Sequence, residues 1–269
     1  MLIQLRNLRL RSTRSATTPN LFILGAGKCG TTALYYLLKQ HRDIHVSAIK
    51  EPSFFCSYFQ DVKDPITYFG LFNSPARYRV DASHVYMSNP QSPPVLAALF
   101  PKAKFIVTLR DPKRRAYSLY LHMRRNFHLD GNPLEEIGDF ESALRAEAER
   151  SSSEAFFADC RQYFWNFMYC GSSCYDEQLT RYLSHFGRGQ FHFLTLAELA
   201  NSPDRAIGGI AKFLGLDKSD FQQARIEELN SAGAYEPPSA SSDAIMEARF
   251  QGMQERVDRI VGRRLDWSL

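Results

Sequence analysis

Residues 21–38 of this chain read LFILGAGKCGTTALYYLL, and this stretch decides the expected fold. The apolar run 21–24 predicts a buried strand, the glycine-rich segment 25–32 predicts a turn, and the run 33–38 predicts a helix. Backbone N–H groups of such a loop, together with the positive end of the helix that follows, bind phosphate or sulfate oxyanions. The stretch therefore predicts an anion-binding loop.

The position of the lysine separates this loop from the nucleoside-triphosphate motif G-x-x-x-x-G-K-[ST]. That motif places its lysine directly after the second glycine, where this chain has Thr31, and leaves unspecified the position that Lys28 holds here. A lysine in mid-loop directs its ammonium at an oxygen that bridges two anionic groups. The alternative is an ordinary strand-to-helix turn with an exposed lysine. The expected anion-binding residues are Gly25, Ala26, Gly27, Lys28, Cys29, Gly30, Thr31 and Thr32.

The composition favours one domain. With 269 residues, of which 44% are hydrophobic, the chain can bury one substantial core, and we expect it to span residues 21–269. Residues 1–20 contain four arginines and no acidic residue, which predicts a flexible basic arm, with an organelle presequence as the alternative. No window holds the roughly eighteen consecutive apolar residues of a membrane helix, so no integral membrane segment is expected.

Charge and cysteine usage narrow the class of partner. The formal net charge of +4 suits an anionic ligand but gives no concentrated basic stripe, so a nucleic-acid partner is not expected. The five cysteines are unevenly spread and lack metal-ligand spacing, which argues against both a disulfide framework and a zinc site. Reduced thiols and a cytoplasmic location are therefore expected.

Strand and helix patterns alternate along the chain. Strands are predicted at 44–47, 78–81, 104–109 and 191–196, and helices at 94–100, 112–125, 141–150, 175–186, 203–214 and 244–261. Two loops, at 126–140 and 230–242, interrupt this pattern. The alternation predicts an α/β fold with a single open, mostly parallel sheet flanked by helices. Ligands of such sheets bind at the carboxyl ends of the strands.

Two further segments follow predicted strands and can share one crevice with the glycine loop. Arg110 ends a strand and Ser118 lies two helical turns later, an arrangement that can hold a second phosphate; a local ion pair between Arg110 and Asp111 is the alternative. Two phosphate sites imply a nucleotide phosphorylated at two separate positions. In the other segment, Glu51 beside the glycine loop can act as a general base on an acceptor group. The alternative is that it is an ordinary surface glutamate.

These residues resemble the sulfotransferases that use 3′-phosphoadenosine 5′-phosphosulfate (PAPS), above all the branch of the heparan sulfate 3-O- and N-sulfotransferases and their bacterial relatives. Segment 25–31 looks like the family's 5′-phosphosulfate loop, segment 109–118 like its 3′-phosphate segment, and segment 50–55 like the segment that bears its catalytic base. The similarity continues through 175–179 and 213–216 to 261–267, so that it covers nearly the whole chain from Leu21.

The resemblance implies a P-loop-like sulfotransferase fold and a role for each matching residue. Lys28 would stabilise the charge that develops on the bridging oxygen, and Glu51 would deprotonate the acceptor. Arg110 and Ser118 would hold the 3′-phosphate, and adenosine 3′,5′-bisphosphate would be the product. The reaction would need no metal, because an in-line displacement of this kind depends on positioning and electrostatics.

The acceptor side is less closely matched to this branch. We expect a hydroxyl, or an amine, of a carbohydrate or small-molecule acceptor. The residues expected to contact it are Lys50, Phe55, Asp81, Ser83, His84 and Tyr86. Heparan-type enzymes often carry a lysine where this chain has Ala82. The late loop that usually brings basic residues over the nucleotide has none at 230–235, so either Arg225 or another basic residue substitutes or the affinity for the donor is lower. The sequence carries no signal for an oligomeric state.

Two other functions are compatible with the glycine loop. A P-loop-type kinase with a displaced lysine would depend on ATP and magnesium, and the absence of a lysine at Thr31 argues against it. A non-catalytic nucleotide-binding module would have no use for a general base such as Glu51 beside the glycine loop.

Overall fold

A five-stranded parallel sheet organises the chain in the computed structural model, which describes residues 18–56, 59–160, 162–221 and 238–269. The strands are β1 (Leu21–Gly25), β2 (Ile44–Val46), β3 (Tyr78–Asp81), β4 (Lys104–Leu109) and β5 (Phe191–Thr195). Their order across the sheet is β2-β3-β1-β4-β5, so β1 lies at the centre. The predicted open, parallel α/β sheet is confirmed.

Helices cover both faces of this sheet. They are α1 (Thr31–Lys39), α2 (Pro65–Gly70), α3 (Val85–Ser88), α4 (Ser92–Leu99), α5 (Pro112–Arg125), α6 (Phe140–Arg145), α7 (Glu147–Ser152), α8 (Glu154–Ala158), α9 (Tyr175–Leu183), α10 (Leu196–Asn201), α11 (Pro203–Leu214), α12 (Ala240–Phe250) and α13 (Met253–Val261). Short 3₁₀ helices cover Phe164–Phe167, Gly171–Ser173, Arg188–Gln190 and Lys218–Asp220.

The unbroken apolar run of β1 follows from its burial on both faces. Leu21 and Ile23 pack into one hydrophobic core with α1 and α11, whereas Phe22 and Leu24 pack into the other with α5, α9 and α13. A strand covered on both sides has no polar face, so the period-two alternation of a half-exposed strand is absent. The two cores together fix the glycine loop, which leaves the sheet at its centre.

Two predicted helices are wrong as single elements. The closing helix expected at 244–261 is divided into α12 and α13 at Gly252, which adopts a φ of 66°. Glycine enters this left-handed region without steric cost, so it ends one helix and lets the next begin in a new direction. The helix expected at 141–150 is likewise two short helices, α6 and α7, which meet at Ala146.

Both ends of the described chain attach to the sheet. Asn20 pairs with β3, where its N–H donates to the carbonyl of Arg79 at 3.1 Å and its Oδ1 accepts from the N–H of Arg79 at 2.7 Å. At the other end, Arg263 Nη2 donates to the carbonyl of Phe193 at 3.0 Å and to Glu198 Oε2 at 2.8 Å. Within the described ranges, no helix has the length and apolar character needed to cross a membrane.

Some sequence-based expectations fall on residues outside the described ones. These are most of the basic arm at 1–20, the part 230–237 of the second loop, and the substitution of a basic residue by Arg225. The single domain at 21–269 stays a prediction.

A partly buried carboxylate holds one of the 3₁₀ helices in place. Glu147, the first residue of α7, accepts hydrogen bonds from the backbone N–H groups of Cys170 at 2.6 Å and Gly171 at 3.1 Å. Burial raises the pKa of Glu147 to about 7, although these two N–H groups and the charges of Arg150 and Arg249 act in the opposite direction. The folded protein therefore retains the Glu147 proton to a higher pH than the unfolded chain does.

The free energy of unfolding should fall as the pH rises from about 4.5 through about 7, since the unfolded carboxyl loses its proton first. The contribution of this group is on the order of 1–3 kcal/mol. Chemical unfolding of the wild type and of Glu147→Gln, each measured at about pH 5 and about pH 8, would show it. The variant should lose this part of the pH dependence, and Glu149→Gln, an exposed control on the same helix, should retain it. An unchanged pH dependence in Glu147→Gln would contradict the assignment.

Candidate active site

The parallel sheet brings the predicted segments to one edge. Because all five strands run in the same direction, the loop after β1, the segment after β2, the Ser83–His84 turn after β3 and Arg110 after β4 lie at the same end of the sheet. β3, β1 and β4 are neighbours in the sheet, so their ends adjoin. The crevice expected from the sequence is therefore formed by adjacent strand ends.

Two residues of the glycine loop use their backbone N–H groups to shape the loop. Ala26 donates to the carbonyl of Thr108 at 2.7 Å, and Cys29 donates to the carbonyl of Ala26 at 3.2 Å. By contrast, the N–H groups of Lys28, Gly30 and Thr31 have no acceptor within the described part of the chain. Donors without a partner at the start of a helix are the groups that bind an oxyanion.

The backbone is strained at three non-glycine residues, and two of them are the predicted catalytic residues. In the described chain, Lys28 at φ 69°, Glu51 at φ 63° and Ser53 at φ 54° are the non-glycine residues in the left-handed region. Such residues each cost about 1–3 kcal/mol and are concentrated at active sites and ligand-binding loops. Their placement here is consistent with a site whose geometry is fixed before any ligand binds.

Lys28 lies among positive charges without a counter-ion. Burial, and then the charge of Arg110, lower the pKa of Lys28, with smaller contributions from Arg115 and Arg125. No carboxylate of the described residues forms an ion pair with Lys28, and the Nε atom of Arg110 is buried without a hydrogen-bond partner. Arg110 lies just before α5, and Ser118, which lies on that helix, is half-exposed. The arrangement is complementary to an anion with more than one charged group.

The carboxylate of Glu51 lies between two basic groups. It forms an ion pair with Lys50, and its Oε2 lies 2.8 Å from Nδ1 of His84. Burial alone would raise the pKa of Glu51, but the charge and hydrogen bond of His84, followed by those of Lys50, outweigh it and lower the pKa to about 2. The carboxylate is therefore ionised throughout the physiological range.

A buried hydrogen-bond network holds the Glu51 segment. Asp81 accepts from the hydroxyls of Ser83 at 2.6 Å and Tyr86 at 3.0 Å. The same hydroxyl oxygens accept from the backbone N–H groups of Ser53 at 2.9 Å and Phe55 at 3.2 Å. Burial raises the pKa of Asp81 to about 6, against the effect of these hydroxyl donors. Four residues of this network, Phe55, Asp81, Ser83 and Tyr86, were expected to contact the acceptor substrate. All four are buried, so that contact stays a prediction.

His84 connects this segment to the glycine loop. A Cβ atom at Gly27 would lie 2.5 Å from Cδ2 of His84, and one at Gly25, where φ is 123°, would lie 3.0 Å from the carbonyl oxygen of His84. Real Cβ atoms essentially never approach as closely as 2.5 Å, so the glycine at position 27 allows the imidazole to pack against the loop, whereas Gly25 allows the loop to pass close to the backbone of His84. One side chain thus contacts both the candidate base and the anion-binding loop.

An open cavity of about 240 Å³ adjoins Glu51. It is lined by Lys50, Glu51, Ser53, Phe59, Asp61, His84, Val85, Gln162 and Asn166. Of the residues expected to contact an acceptor, Lys50 and His84 line it, and Asp61, Gln162 and Asn166 were not anticipated. None of these three belongs to a motif that the sequence analysis used, and Gln162 and Asn166 lie more than a hundred residues from Glu51, so only the structure brings them to the site.

His122 is a further residue that the sequence analysis missed. It lies four residues after Ser118 on α5, so both are on one helix face. Burial, and then the charges of Lys28 and His84, lower the pKa of His122 to about 4, whereas Glu51 raises it. The imidazole is therefore neutral near pH 7 and close enough to sense all three groups. The spacing of four residues from Ser118 is the sequence signal that could have placed this histidine at the site.

The described residues contain no cluster of three or more His, Cys, Asp or Glu side chains that could hold a metal ion. The expectation that no metal takes part stays a prediction.

Comparison with known proteins agrees with this geometry. Residues 18–247 match the family model described as "Sulfotransferase domain". The chain belongs to the sulfotransferase family. Membership of this family makes it a transferase, and it confirms the resemblance that the glycine loop, the Glu51 segment and the Arg110 segment indicated.

Two curated relatives are bifunctional heparan sulfate N-deacetylase/N-sulfotransferases 1. The protein of Caenorhabditis elegans is 28% identical over 211 residues, which cover 76% of this chain and 23% of that protein. The protein of Homo sapiens is 28% identical over 207 residues, which cover 74% of this chain and 22% of that protein. This chain therefore spans less than a quarter of the length of these relatives.

A solved structure extends the similarity over the whole fold. The sulfotransferase from Alicyclobacillus acidocaldarius is 26% identical, with a TM-score of 0.73, and the alignment covers 91% of this chain and 96% of that one. The predicted sulfotransferase fold is thereby confirmed.

Replacement of Gly27 by alanine should destabilise the protein through His84, because the new Cβ would overlap the imidazole. Overpacking of this kind costs about 1–3 kcal/mol. Chemical unfolding of Gly27→Ala, His84→Ala and the double variant would form a cycle in which the glycine substitution costs less once the imidazole is absent. Gly138→Ala, where a Cβ has open space, is the control. Equal costs in both backgrounds would contradict the contact.

Proposed function

We propose that this chain transfers the sulfuryl group of PAPS to a hydroxyl or amine of a carbohydrate or small-molecule acceptor. The observation that carries the proposal is the placement of Lys28 and Arg110, two cations without a carboxylate partner among the described residues, at the edge of the sheet where Glu51 also lies. A donor with a phosphosulfate and a separate 3′-phosphate supplies the negative groups that such a pair lacks.

The residues of the site fit this donor. The N–H groups of Lys28, Gly30 and Thr31, which have no acceptor among the described residues, would bind the 5′-phosphosulfate, and the helix that follows adds its positive end. Arg110 and Ser118, on the neighbouring strand end and α5, are separate from these donors and suit the 3′-phosphate. The predicted roles of Gly25, Ala26, Gly27, Cys29 and Thr32 are then to shape the loop or to add donors to it.

The donor supplies an activated sulfuryl group that is joined through an oxygen to its 5′-phosphate. Lys28, held in the left-handed region, directs its ammonium to that oxygen and stabilises the negative charge left on it as the bond to sulfur breaks. Glu51 accepts the proton of the acceptor hydroxyl. Since its pKa is about 2, Glu51 is a weak base, so the proton moves late, when the new oxygen–sulfur bond has made the hydroxyl acidic.

His84 and Lys50 keep the base ionised and oriented. The 2.8 Å contact between His84 Nδ1 and Glu51 Oε2 fixes one carboxylate oxygen, and the ion pair with Lys50 fixes the other. Since His84 also packs on the glycine loop, one side chain positions the base relative to the loop that would bind the donor. Such pre-organisation is a principal source of rate in displacement reactions.

The acceptor would enter the cavity beside Glu51. Its amide and carboxylate groups, from Gln162, Asn166 and Asp61, can exchange hydrogen bonds with hydroxyls, and Phe59 offers an aromatic surface. The names of the curated relatives refer to heparan sulfate and to N-sulfation, which supports a carbohydrate and keeps an amine among the candidates. The cytoplasmic location expected from the cysteines stays a prediction.

Ligand-dependent stability separates this function from a kinase. The melting temperature should rise with adenosine 3′,5′-bisphosphate in the absence of metal, because that ligand occupies both anion positions. At a hundred times its dissociation constant it should add about 2.7 kcal/mol to the free energy of unfolding. ATP with magnesium is the comparison ligand. Stabilisation by ATP with magnesium and not by the bisphosphate would replace the sulfotransferase proposal with the kinase.

Substitution of Lys28 or Glu51 tests the chemistry. Lys28→Ala and Glu51→Gln should each lower kcat by about 100-fold or more, because each removes a group that acts on the transferring or accepting oxygen. Release of adenosine 3′,5′-bisphosphate from PAPS in the presence of acceptor would be followed. Lys102→Ala and Glu149→Gln, which replace exposed residues of the same charge, should keep the wild-type rate. If Lys28→Ala and Glu51→Gln bind the bisphosphate and turn over at the wild-type rate, the two residues do not have the proposed catalytic roles.

A further inference from the structure

Arg115 lies behind the glycine loop and is almost completely buried, with 2% of its surface exposed. Its Nε donates to the carbonyl oxygen of Gly27 at 3.0 Å. Its Nη1 donates to the hydroxyls of Ser172 and Ser173, the latter at 2.9 Å. One guanidinium thus joins the loop to a 3₁₀ helix that lies far from it in sequence.

The charge of Arg115 has no acidic partner in the part of the chain that the structure describes. Buried arginines are ordinarily paired, because an uncompensated charge in a protein interior is costly. Arg150 illustrates the ordinary case in the same molecule, since both of its Nη atoms donate to the carboxylate of Glu135, at 2.7 and 2.8 Å. All the described acceptors of Arg115 are instead neutral oxygens.

The far end of this connection is itself anchored. Ser173 donates to the carbonyl of Tyr169 at 2.6 Å, and the N–H groups of Cys170 and Gly171 donate to Glu147. The two serines are fully buried and cannot move independently of this segment. Arg115 therefore holds the Gly27 carbonyl to the anchored 3₁₀ helix Gly171–Ser173.

The orientation of one carbonyl decides what the loop presents to an anion. A peptide unit that turns its oxygen into the protein turns the N–H of the next residue the other way, because the unit is planar. The bond from Arg115 to the Gly27 oxygen therefore directs the N–H of Lys28 away from Arg115, toward the crevice. The charge of Arg115 also reaches the loop, where it contributes to the lowered pKa of Lys28.

We propose that Arg115 is a positioning residue for the donor: it fixes the Gly27–Lys28 peptide through Ser172 and Ser173, and its unpaired charge is balanced by the anionic donor. This inference rests on the proposed function, because the balancing anion is the phosphosulfate. Donor affinity then depends on a segment, 170–173, that lies outside the crevice itself.

The test compares Arg115→Gln, Arg115→Lys and the double variant Ser172→Ala/Ser173→Ala with the wild type. Binding of adenosine 3′,5′-bisphosphate is measured by titration calorimetry at low and high salt, and the melting temperature is measured without ligand. Arg115→Gln should bind about 10- to 100-fold more weakly, with a shallower salt dependence, because the positive charge and the charge-assisted hydrogen bond to the Gly27 carbonyl are both lost. Arg115→Lys should recover part of the affinity, since it restores the charge. The serine variant should bind several-fold more weakly, although it keeps the charge.

Arg150→Gln/Glu135→Gln is the matched control, because it removes a guanidinium that is also buried but is paired with a carboxylate. It should lower the melting temperature and leave bisphosphate affinity within about twofold of the wild type. If Arg115→Gln lowers only the melting temperature and keeps wild-type affinity, Arg115 is merely structural and the inference fails, while the proposed function stands. If Arg115→Gln does not fold, unchanged affinity in the serine variant overturns the inference. Absence of bisphosphate binding in the wild type overturns both.

Discussion

The contact between His84 and Glu51 is the interaction on which the rest of the site depends. It joins the segment after β2 to the turn after β3, and the same imidazole packs against Gly27 in the loop after β1. The left-handed backbone at Glu51 and Ser53 would relax in a free peptide. It is retained because the hydroxyls of Ser83 and Tyr86 accept hydrogen bonds from the N–H groups of Ser53 and Phe55, while the imidazole after β3 contacts the carboxylate. Strain and ion pair therefore support each other.

The electrostatics of the site follow a division between its two halves. Beside the cavity, Glu51 lies between Lys50 and His84, and its carboxylate stays ionised. At the glycine loop, Lys28, Arg110 and Arg115 have no ion-pair partner among the described residues, and burial, followed by the repulsion of the two arginines, lowers the pKa of Lys28. Repulsion of this kind lowers the stability of the empty protein and is relieved when an anion binds. Under the proposed function, the donor would supply the negative charge that balances these cations.

Much of the fold could be predicted because its signals are local. The run 21–38 contains a doubly buried strand, a glycine turn and a helix start in consecutive residues, and the parallel sheet follows from the alternation that comes after it. The division of the last helix at Gly252 was missed, since a lone glycine in a helical pattern is usually tolerated. Whether it ends a helix depends on packing, which the local pattern does not contain.

The candidate site was predictable where a motif placed a residue at a strand end, as for Lys28, Glu51 and Arg110. It was not predictable where tertiary neighbours decide the role. Asp81 reads as a polar strand end open to an acceptor, but hydroxyls that come from several elements enclose it. In the sequence Arg115 is not distinguishable from the other arginines of its helix. Only the folded structure brings it within hydrogen-bonding distance of the serines at 172 and 173.

The attachment of Arg263 to the carbonyl of Phe193 has a consequence for how copies of this protein meet. β5 lies at one margin of the sheet, and an outward carbonyl of such a strand is a template on which another chain can add a strand. Here a guanidinium already occupies that acceptor. The opposite margin is β2, which has only three residues and offers little length for pairing. Both margins are thus poor templates, which protects the open sheet against edge-to-edge aggregation.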